Sequence, residues 1–414
     1  MSQLSYMDKL LDGVEVEWKE LWQVTIWDKK FNAVERDKQP RVIKYHYFLA
    51  KDLKSLVLET GNVKLLTTNL SNLWTSEELA GEKVSEGEVI AIPWGGNPVV
   101  QYYKGKFLTT DNRIATSADT DLLNNKFLYY YLLSQIDLIS SFYRGSGIKH
   151  PSMSDVLHIS IPIPPLNVQA EIVRILDTFT ELTAELTAEL TARQQQYAYY
   201  RDQLLTFEEG EVEWRTLDEL VSFRRGSFPQ PYGNSSWYDG ESSMPFVQVA
   251  DVSDFGFCLN KNTKQRISKL AQPKSVFVDK GTVIVSLQGT IGRVAITQYD
   301  CYVDRTLAIF TDYKGQINKK YFAYQLKNKF DIEKEHARGS TLKTITKAEF
   351  SKFEIPVPPL TEQQRIVTIL DKFDALTTSL TEGLPREIEL RQQQYEYYRD
   401  LLLSFPKPEV ATHD

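Results

Sequence analysis

The chain contains a tandem repeat, and this repeat restricts the fold more than any other feature of the sequence. The segment Ile161–Leu166 (IPIPPL) returns 194 residues later as Ile355–Leu360 (IPVPPL). Arg193–Phe207 returns as Arg391–Phe405, with 12 of 15 positions identical and an offset of 198. Matches at a nearly fixed offset indicate two copies of one structural unit. The chain is therefore expected to consist of two related halves.

Each half has a divergent front and a near-identical tail. Weaker matches extend the repeat into the fronts, namely Val16–Trp18 with Val212–Trp214, Gly95 with Gly289, Arg144–Ser146 with Arg338–Ser340, and Lys149 with Lys343. Within the fronts, apolar runs bounded by Gly and Pro predict strands at 87–92 and 281–286. Aromatic-rich segments at 126–133 and 320–326 predict short helices. The fronts are thus predicted to be α/β lobes.

The tails are predicted to be long helices. Asn167 and Thr361 follow a Pro-Pro-Leu stop and are suitable N-cap residues. Apolar residues then recur at steps of three and four, which indicates a seam packed against another helix. About 38 residues of helix would extend about 57 Å. In the second copy, Gly383 and Pro385 are expected to break or kink the helix.

Together these features predict an α+β fold. The predicted domains are a first lobe at 1–160, a central helical spacer at 161–209, a second lobe at 210–354 and a C-terminal helical spacer at 355–414. If the two spacers pack as an antiparallel coiled coil, the lobes form a pseudo-twofold pair. The DNA backbone is also locally twofold, so such an object suits two half-sites.

Charge is distributed unevenly along the chain. The net charge is −7, but residues 220–345 carry 18 Lys and Arg against 11 Asp and Glu. Residues 161–219 carry 4 against 12. Local charge, more than the total, determines attraction to phosphates. No signal-like start, no membrane-length apolar run and only two cysteines, Cys258 and Cys301, occur. These features predict a cytoplasmic protein that does not enter membranes.

The sequence lacks the usual motifs of catalysis. It contains no phosphate-binding loop, no Gly-x-Gly-x-x-Gly and no His-Glu-x-x-His, and its five histidines are scattered without ligand spacing. The Pro-Pro-aromatic signature of adenine methyltransferases is also absent. We therefore expect a non-catalytic chain with no metal site and no bound cofactor.

The layout resembles that of the specificity subunits of Type I restriction-modification systems. The IPxPPL entries, the Ile-Val-x-Ile-Leu-Asp-x-Phe runs at 172–179 and 366–373, and the Arg-Gln-Gln-Gln-Tyr helices carry the resemblance. The strand-turn segment Gly281–Gly292 resembles the family's target recognition domains. The tetrads Thr183–Leu186 and Thr187–Leu190 resemble short central-helix repeats that some members vary.

The resemblance implies a sequence-recognition role in a larger complex. The two lobes would be target recognition domains that read a bipartite, asymmetric site in double-stranded DNA, one half-site each. The chain would bind two modification subunits and also restriction subunits. S-adenosylmethionine, ATP and Mg would be held by those partner subunits, which would methylate adenine and cut DNA, and not by this chain.

Candidate DNA contacts are cationic or amide side chains in glycine-flanked segments, where backbone can approach phosphate closely. Arginine can bind guanine at two atoms, and glutamine can do so with adenine. The candidates are Arg144, Lys149, Arg224, Arg225, Gln288, Arg293, Arg338 and Lys343. The repeated Arg-Gly-Ser element admits a structural alternative, in which the glycine ends a helix and the arginine neutralises its C-terminus.

The repeated tyrosines are predicted to make protein contacts. Their helical spacing favours helix packing or partner binding over base stacking, and the candidates are Tyr197, Tyr200, Tyr395 and Tyr398. The repeat alone also fits a scaffold whose helices dock proteins and whose lobes do not bind DNA. A self-contained DNA methyltransferase is disfavoured by the missing motifs.

Overall fold

A computed structural model of the chain describes residues 6–208, 210–253, 256–336, 347–379 and 382–406. The chain forms two compact units. The first unit comprises Met1–Thr183 with Arg391–Asp414, and the second comprises Ala184–Leu390. Each unit therefore contains one lobe, the start of the helix after that lobe, and the end of the other long helix. Among the described residues, no helix is long and apolar enough to cross a membrane.

The elements alternate between strands and short helices in the lobes. The helices are α1 (Tyr6–Leu11), α2 (Leu21–Val24), α3 (Ala50–Ser55), α4 (Glu77–Ala80), α5 (Asn125–Ser134), α6 (Ile136–Ser141), α7 (Met153–Leu157), α8 (Leu166–Leu205), α9 (Leu217–Leu220), α10 (Lys319–His336), α11 (Lys347–Ser351), α12 (Leu360–Thr377) and α13 (Gly383–Leu402). The strands of the first lobe are β1 (Glu17–Glu20), β2 (Thr25–Trp27), β3 (Val63–Leu66), β4 (Trp74–Thr75), β5 (Ser85–Pro93), β6 (Gln101–Thr109), β7 (Asn112–Ser117), β8 (Tyr143–Arg144), β9 (His150–Pro151) and β10 (Ser160–Ile163). Those of the second lobe are β11 (Glu213–Thr216), β12 (Val221–Arg225), β13 (Met244–Val247), β14 (Gln265–Ile267), β15 (Val276–Val278), β16 (Val283–Ser286), β17 (Val294–Ile296), β18 (Cys301–Val303), β19 (Leu307–Tyr313) and β20 (Glu354–Val357).

The first unit is organised around a six-stranded sheet with the order β2-β7-β5-β6-β3-β4. Its central strand β5 carries the predicted apolar run, and Val89–Ile92 are fully buried because both faces of the strand are covered. The core joins this sheet to α5, α7, the start of α8 and the end of α13. The predicted helix at 126–133 is confirmed as α5.

The second unit contains two four-stranded sheets in place of one larger sheet. Their orders are β12-β19-β16-β17 and β14-β13-β18-β15. All four residues of β16 are buried, which confirms the predicted strand at 281–286 in its second part. The predicted helix at 320–326 is confirmed within the longer α10, whose aromatic residues Tyr321, Phe322 and Tyr324 are buried.

The junction between lobe and long helix is the same in both units. In the first, β1 pairs antiparallel with β10, and in the second, β11 pairs antiparallel with β20. Gln169 is fully buried after the first junction, where its amide donates to Pro164 O at 2.8 Å and its oxygen accepts from the Asn124 amide at 2.8 Å. Gln363 makes the same contacts with Pro358 O and the Asn318 amide, both at 2.8 Å.

The predicted N-caps at Asn167 and Thr361 are wrong. Helix α8 begins at Leu166 and α12 begins at Leu360, with Pro359 in the cap position and no side-chain cap bond there. The carbonyls of Pro165 and Pro359 accept the first hydrogen bonds of each helix, from the amides of its third and fourth residues. The rigid Pro-Pro segment and the buried glutamine therefore mark the helix start one residue earlier than predicted.

The long helices pack antiparallel inside each unit. In the first unit, Phe179 of α8 stacks on Tyr398 of α13 with ring centroids 5.3 Å apart. In the second, Phe373 of α12 stacks on Tyr200 of α8 at 5.8 Å. These pairs are equivalent under the repeat, because Phe373 lies 194 residues after Phe179 and Tyr398 lies 198 after Tyr200. The predicted helix pairing is confirmed within each unit.

The two long helices differ in continuity. Helix α8 is unbroken over 40 residues, whereas the C-terminal helix ends as α12 at Thr377 and restarts as α13 at Gly383. Gly383 has a φ of +78°, and a Cβ there would lie 2.4 Å from Ala375 O. This confirms the predicted break, and only glycine fits its geometry.

Candidate nucleic-acid interface

Arg144 and Lys149 lie on a short hairpin of the first lobe formed by β8 and β9. Both side chains are exposed, and the Arg144 guanidinium forms an ion pair with Asp155 at 3.1 Å. Helix α6 ends at Ser141, before the Arg-Gly-Ser element, and Gly145 has a φ of +141°. The glycine of this first copy therefore serves the hairpin turn, and the alternative in which it ends a helix is wrong here. The second copy, 338–340, lies outside the described residues, so the alternative stays open there.

The hairpin is held against the loop after β5. The Gly96 amide donates to Lys149 O at 3.1 Å, and His150 Nδ1 donates to Trp94 O at 2.6 Å. The Tyr143 hydroxyl donates to Pro93 O at 2.7 Å. These bonds attach the hairpin on both of its strands, so its tip has a defined position on the lobe.

Arg113 lies beneath this loop and was missed by sequence reasoning. Its guanidinium packs over the Trp94 ring at 4.0 Å and pairs with Asp111 at 3.1 Å, while its side chain is 5% exposed. Its Nε is buried without a hydrogen-bond partner within the part of the chain that the structure describes. Arg113 supports Trp94 from below and cannot reach DNA without a rearrangement. No pattern in the repeat marks it.

Arg224 and Arg225 lie on β12, at one edge of a four-stranded sheet in the second lobe. Arg224 is exposed and Arg225 is half-buried. The next residue, Gly226, lies so close to the backbone at the end of β18 that a Cβ at this position would be 2.2 Å from Val303 O. This glycine therefore serves packing inside the lobe and not an approach to phosphate.

Gln288 and Arg293 flank the turn between β16 and β17 but have different environments. Gln288 is half-buried beside the exposed Gly289, whose φ is +73°. Arg293 Nη1 donates to Val249 O at 3.3 Å and to Val252 O at 3.4 Å. Arg293 thus connects two loops of the second lobe, and Gln288 is the better placed of the two for contact with a ligand.

A cavity of about 460 Å³ lies beside this turn within the second unit. Tyr197, Arg293, Tyr324 and Asp374 contribute to its wall. The Tyr324 hydroxyl donates to Asp374 Oδ2 at 2.5 Å. Burial raises the pKa of the Asp374 carboxyl above its usual value, although the hydrogen bonds from Tyr324 and Tyr197 oppose that shift. Arg338 and Lys343 lie outside the described residues.

The predicted tyrosines take part in helix packing to different extents. Tyr197 stacks on Phe373 at 5.8 Å, and Tyr395 packs against the core of the first unit, where burial raises its pKa to about 12. Tyr200 and Tyr398 use one ring face for the stacks described above and remain 40% exposed. The contact of these tyrosines with a partner protein stays a prediction.

Sequence reasoning also missed a polar cluster that lies at each lobe–helix junction. In the first unit, Asp177 of α8 accepts from the Tyr130 hydroxyl at 2.6 Å and pairs with Lys126 at 2.7 Å. In the second, Asp371 Oδ1 lies 2.9 Å from the Tyr324 hydroxyl, which it shares with Asp374, and Asp371 pairs with Lys320 at 2.7 Å. The members of each pair are identical at an offset of 194. A search for identical polar residues at that offset would have found them.

Neither unit contains a recognisable metal centre within the described ranges, where no cluster of three His, Cys, Asp or Glu side chains could hold an ion. Both cysteines are free thiols, Cys258 exposed and Cys301 buried.

Comparison with known proteins identifies the family. A family model described as the Type I restriction modification DNA specificity domain matches residues 50–193 and 209–390. The chain is 36% identical over 433 residues to the Type I restriction enzyme EcoR124I/EcoR124II specificity subunit of Escherichia coli, with both chains fully covered. It is 33% identical over 421 residues to a putative type I restriction enzyme specificity subunit of Haemophilus influenzae, covering 97% of this chain and 98% of the relative.

Two solved structures have the same fold. A Type I restriction-modification S subunit from M. genitalium superposes with a TM-score of 0.60 at 17% identity, covering 96% of this chain and 98% of that one. A chain from a structure that concerns complex assembly and conformational transition of the type I system gives 0.54 at 18% identity, covering 94% and 98%. The chain belongs to the specificity subunits of Type I restriction-modification systems, which are the non-catalytic subunits that recognise DNA.

Proposed function

We propose that this chain reads a bipartite, asymmetric site in double-stranded DNA, with one half-site for each lobe. One observation carries this proposal: the lobe–helix junctions are the same in both units, whereas the sheets of the two lobes differ. Because the junction is constant, both lobes are attached to their long helices in the same way. Because the sheets differ, the two lobes offer different side chains to DNA. Two unlike half-sites are the expected consequence of that combination.

The proposed DNA contacts divide into two groups by exposure. Arg144, Lys149 and Arg224 are exposed and suit phosphate contacts, which position the protein without reading sequence. Gln288 lies at an exposed turn and suits a base contact. Arg225 and Arg293 are half-buried, and for Arg293 the contacts with backbone carbonyls favour a supporting role.

The chain is also proposed to dock two modification subunits and the restriction subunits of its complex. Each unit presents an adjacent tyrosine pair on a long helix, Tyr199–Tyr200 in the second and Tyr397–Tyr398 in the first. Tyr199 is 59% exposed and Tyr397 is 65% exposed. Large aromatic side chains are enriched in protein interfaces. Two equivalent pairs suit two copies of one partner.

The remaining parts of the proposal concern chemistry and location. S-adenosylmethionine, ATP and Mg would bind the partner subunits, and the complex would act in the cytoplasm, where its DNA lies. The free thiols Cys258 and Cys301 agree with a reducing compartment.

The test is DNA binding by the chain co-purified with its modification subunit. We expect tight binding to one duplex sequence, weaker binding to scrambled duplexes, and a steep decline in affinity between 50 and 200 mM salt as counterion release predicts, on the order of 1000-fold for about six phosphate contacts. Methylation mapping in cells that carry the whole system would give the site. Equal affinity for all duplexes would contradict the proposal and favour a scaffold.

Docking is tested separately by Tyr397→Ala and Tyr199→Ala. Each change removes one exposed ring, so each is expected to lower the mass of the complex by one modification subunit, measured by light scattering. A complex that keeps two modification subunits in both variants would show that the tyrosine pairs do not dock them.

A further inference from the structure

Ile148, at the tip of the β8–β9 hairpin, is among the most exposed large aliphatic side chains described in this chain, at 71%. A single exposed aliphatic residue is common on protein surfaces and does not by itself indicate a contact. Ile148 differs because the two residues after it are hydrogen-bonded to the neighbouring loop, because its side chain contacts Gly95 of that loop, and because positive charges flank it.

The Ile148 side chain rests on a glycine in the neighbouring loop. A Cβ at Gly95 would lie 2.9 Å from Ile148 Cγ2, so the absence of a side chain at position 95 makes room for the isoleucine. On the C-terminal side, Lys149 O accepts from the Gly96 amide and His150 bonds to Trp94 O. The backbone of the tip therefore has a defined position, from which it presents a largely exposed apolar side chain outward. Little backbone entropy is lost on contact.

The groups that flank Ile148 suit a polyanion. Arg144 has a side chain that is 73% exposed, and Lys149 is also exposed. The partner of Arg144, Asp155, forms an ion pair on the surface, and such pairs contribute little. The guanidinium can therefore exchange that carboxylate for a phosphate at little cost.

We propose that the hairpin tip inserts Ile148 as an apolar wedge against one base step of the half-site read by the first lobe, while Arg144 and Lys149 bind the adjacent phosphates. This inference rests on the proposed function and adds the mode of reading to it. Apolar wedges flanked by Arg or Lys partially unstack a step, most easily a flexible pyrimidine–purine step. The first half-site would then contain a TA or CA step selected by its deformability.

The experiment uses the full chain in complex with its modification subunits. Duplexes carry 2-aminopurine at successive positions of the first half-site other than the methylated adenine, because unstacking raises the fluorescence of this base. The wild-type complex is expected to give one position of increased fluorescence. Ile148→Ala should remove that increase and weaken binding of the cognate duplex by about 10-fold, with non-specific binding unchanged.

Three variants separate the wedge from other effects. Ile148→Leu should keep the fluorescence increase. Lys149→Ala should weaken cognate and non-specific binding alike and reduce the salt slope by about one charge. Leu270→Ala, at a side chain that is 59% exposed in the second unit, should leave the first half-site unchanged.

Failure of this inference is distinguishable from failure of the proposed function. If the wild-type complex binds one sequence but shows no unstacked step, or if Ile148→Ala behaves as wild type, the wedge is wrong and sequence recognition stands. If the wild-type complex shows no sequence preference, the proposed function itself is wrong.

Discussion

The two units share their junctions but differ in the sheets attached to them. Both contain a buried glutamine after the Pro-Pro segment, and both contain an aspartate that binds a tyrosine and a lysine. Above this junction, the first unit has one six-stranded sheet and the second has two four-stranded sheets. The comparison separates two kinds of position. The junction residues attach a lobe to its long helix and are the same in both units, whereas the residues of the sheets differ and are available for sequence recognition.

Exchange of the first lobe tests whether the junctions and the sequence-reading sheets are independent of each other. It is expected to have the largest effect on the DNA site that is recognised. Replacing residues 1–155 by the first lobe of another family member keeps Gln169 and Asp177 on α8, and the donor lobe must carry equivalents of Asn124, Lys126 and Tyr130 so that their contacts can form again. One half-site should change completely while the other half-site and the gap remain, as read by methylation mapping. A change in both half-sites would show that base reading is not local to each lobe.

The tetrads of α8 provide the next test. Thr183–Leu186 and Thr187–Leu190 lie inside the unbroken helix, with Leu186 and Leu190 half-buried. One more tetrad would lengthen the helix by about 6 Å and rotate the part of the helix beyond the insertion by about 40°. The unspecified gap should therefore grow by one or two base pairs, since base pairs rise about 3.4 Å. An active variant with an unchanged gap would show that the tetrads are only helix-forming sequence.

The helix break distinguishes the C-terminal spacer from α8. Gly383→Ala places a side chain at a positive φ and against Ala375 O, so it should destabilise the α12–α13 junction by about 2–4 kcal/mol. Ala188→Gly, in the unbroken α8, should cost about 1 kcal/mol. Hydrogen exchange of the amides in each helix measures both effects. Equal protection in the two variants would mean that the break is not required.

The sequence best predicts those parts of the fold for which the repeat provides the same signal twice. The long helices and the lobe cores follow from periodicity and from matched segments, because each is supported by two copies. The break occurs in the second copy only and follows from Gly383 and Pro385 themselves. The roles of Arg293 and Arg113 do not follow, since they depend on loops brought together from distant parts of the chain. The N-caps failed because a local preference for Asn167 and Thr361 competes with the rigid Pro-Pro entry.

The smallest expected effect concerns one position at which the junctions differ. Asp374 in the second unit corresponds to Thr180 in the first, at the offset of 194. Both lie near a tyrosine, but only Asp374 introduces a carboxyl group whose pKa is raised by burial. A raised pKa means that the folded chain binds the proton more tightly than the unfolded chain. Stability from this group is therefore present at low pH and is lost as pH rises through the raised pKa.

Asp374→Asn, which resembles the protonated form, should stabilise the second unit at pH 7, because it removes the cost of burying a charged carboxylate. The gain should vanish toward the pKa of an unfolded aspartate, near 3.8. Asp371→Asn is the matched control, because it removes the pair with Lys320 and should cost about 0.5 kcal/mol. Because a chain of two units does not unfold in a single transition, hydrogen exchange of α12 as a function of pH is the appropriate measurement. If Asp374→Asn destabilises α12 at pH 7, the hydrogen bonds to the charged carboxylate outweigh its burial, and the two junctions are more alike than their sequences indicate.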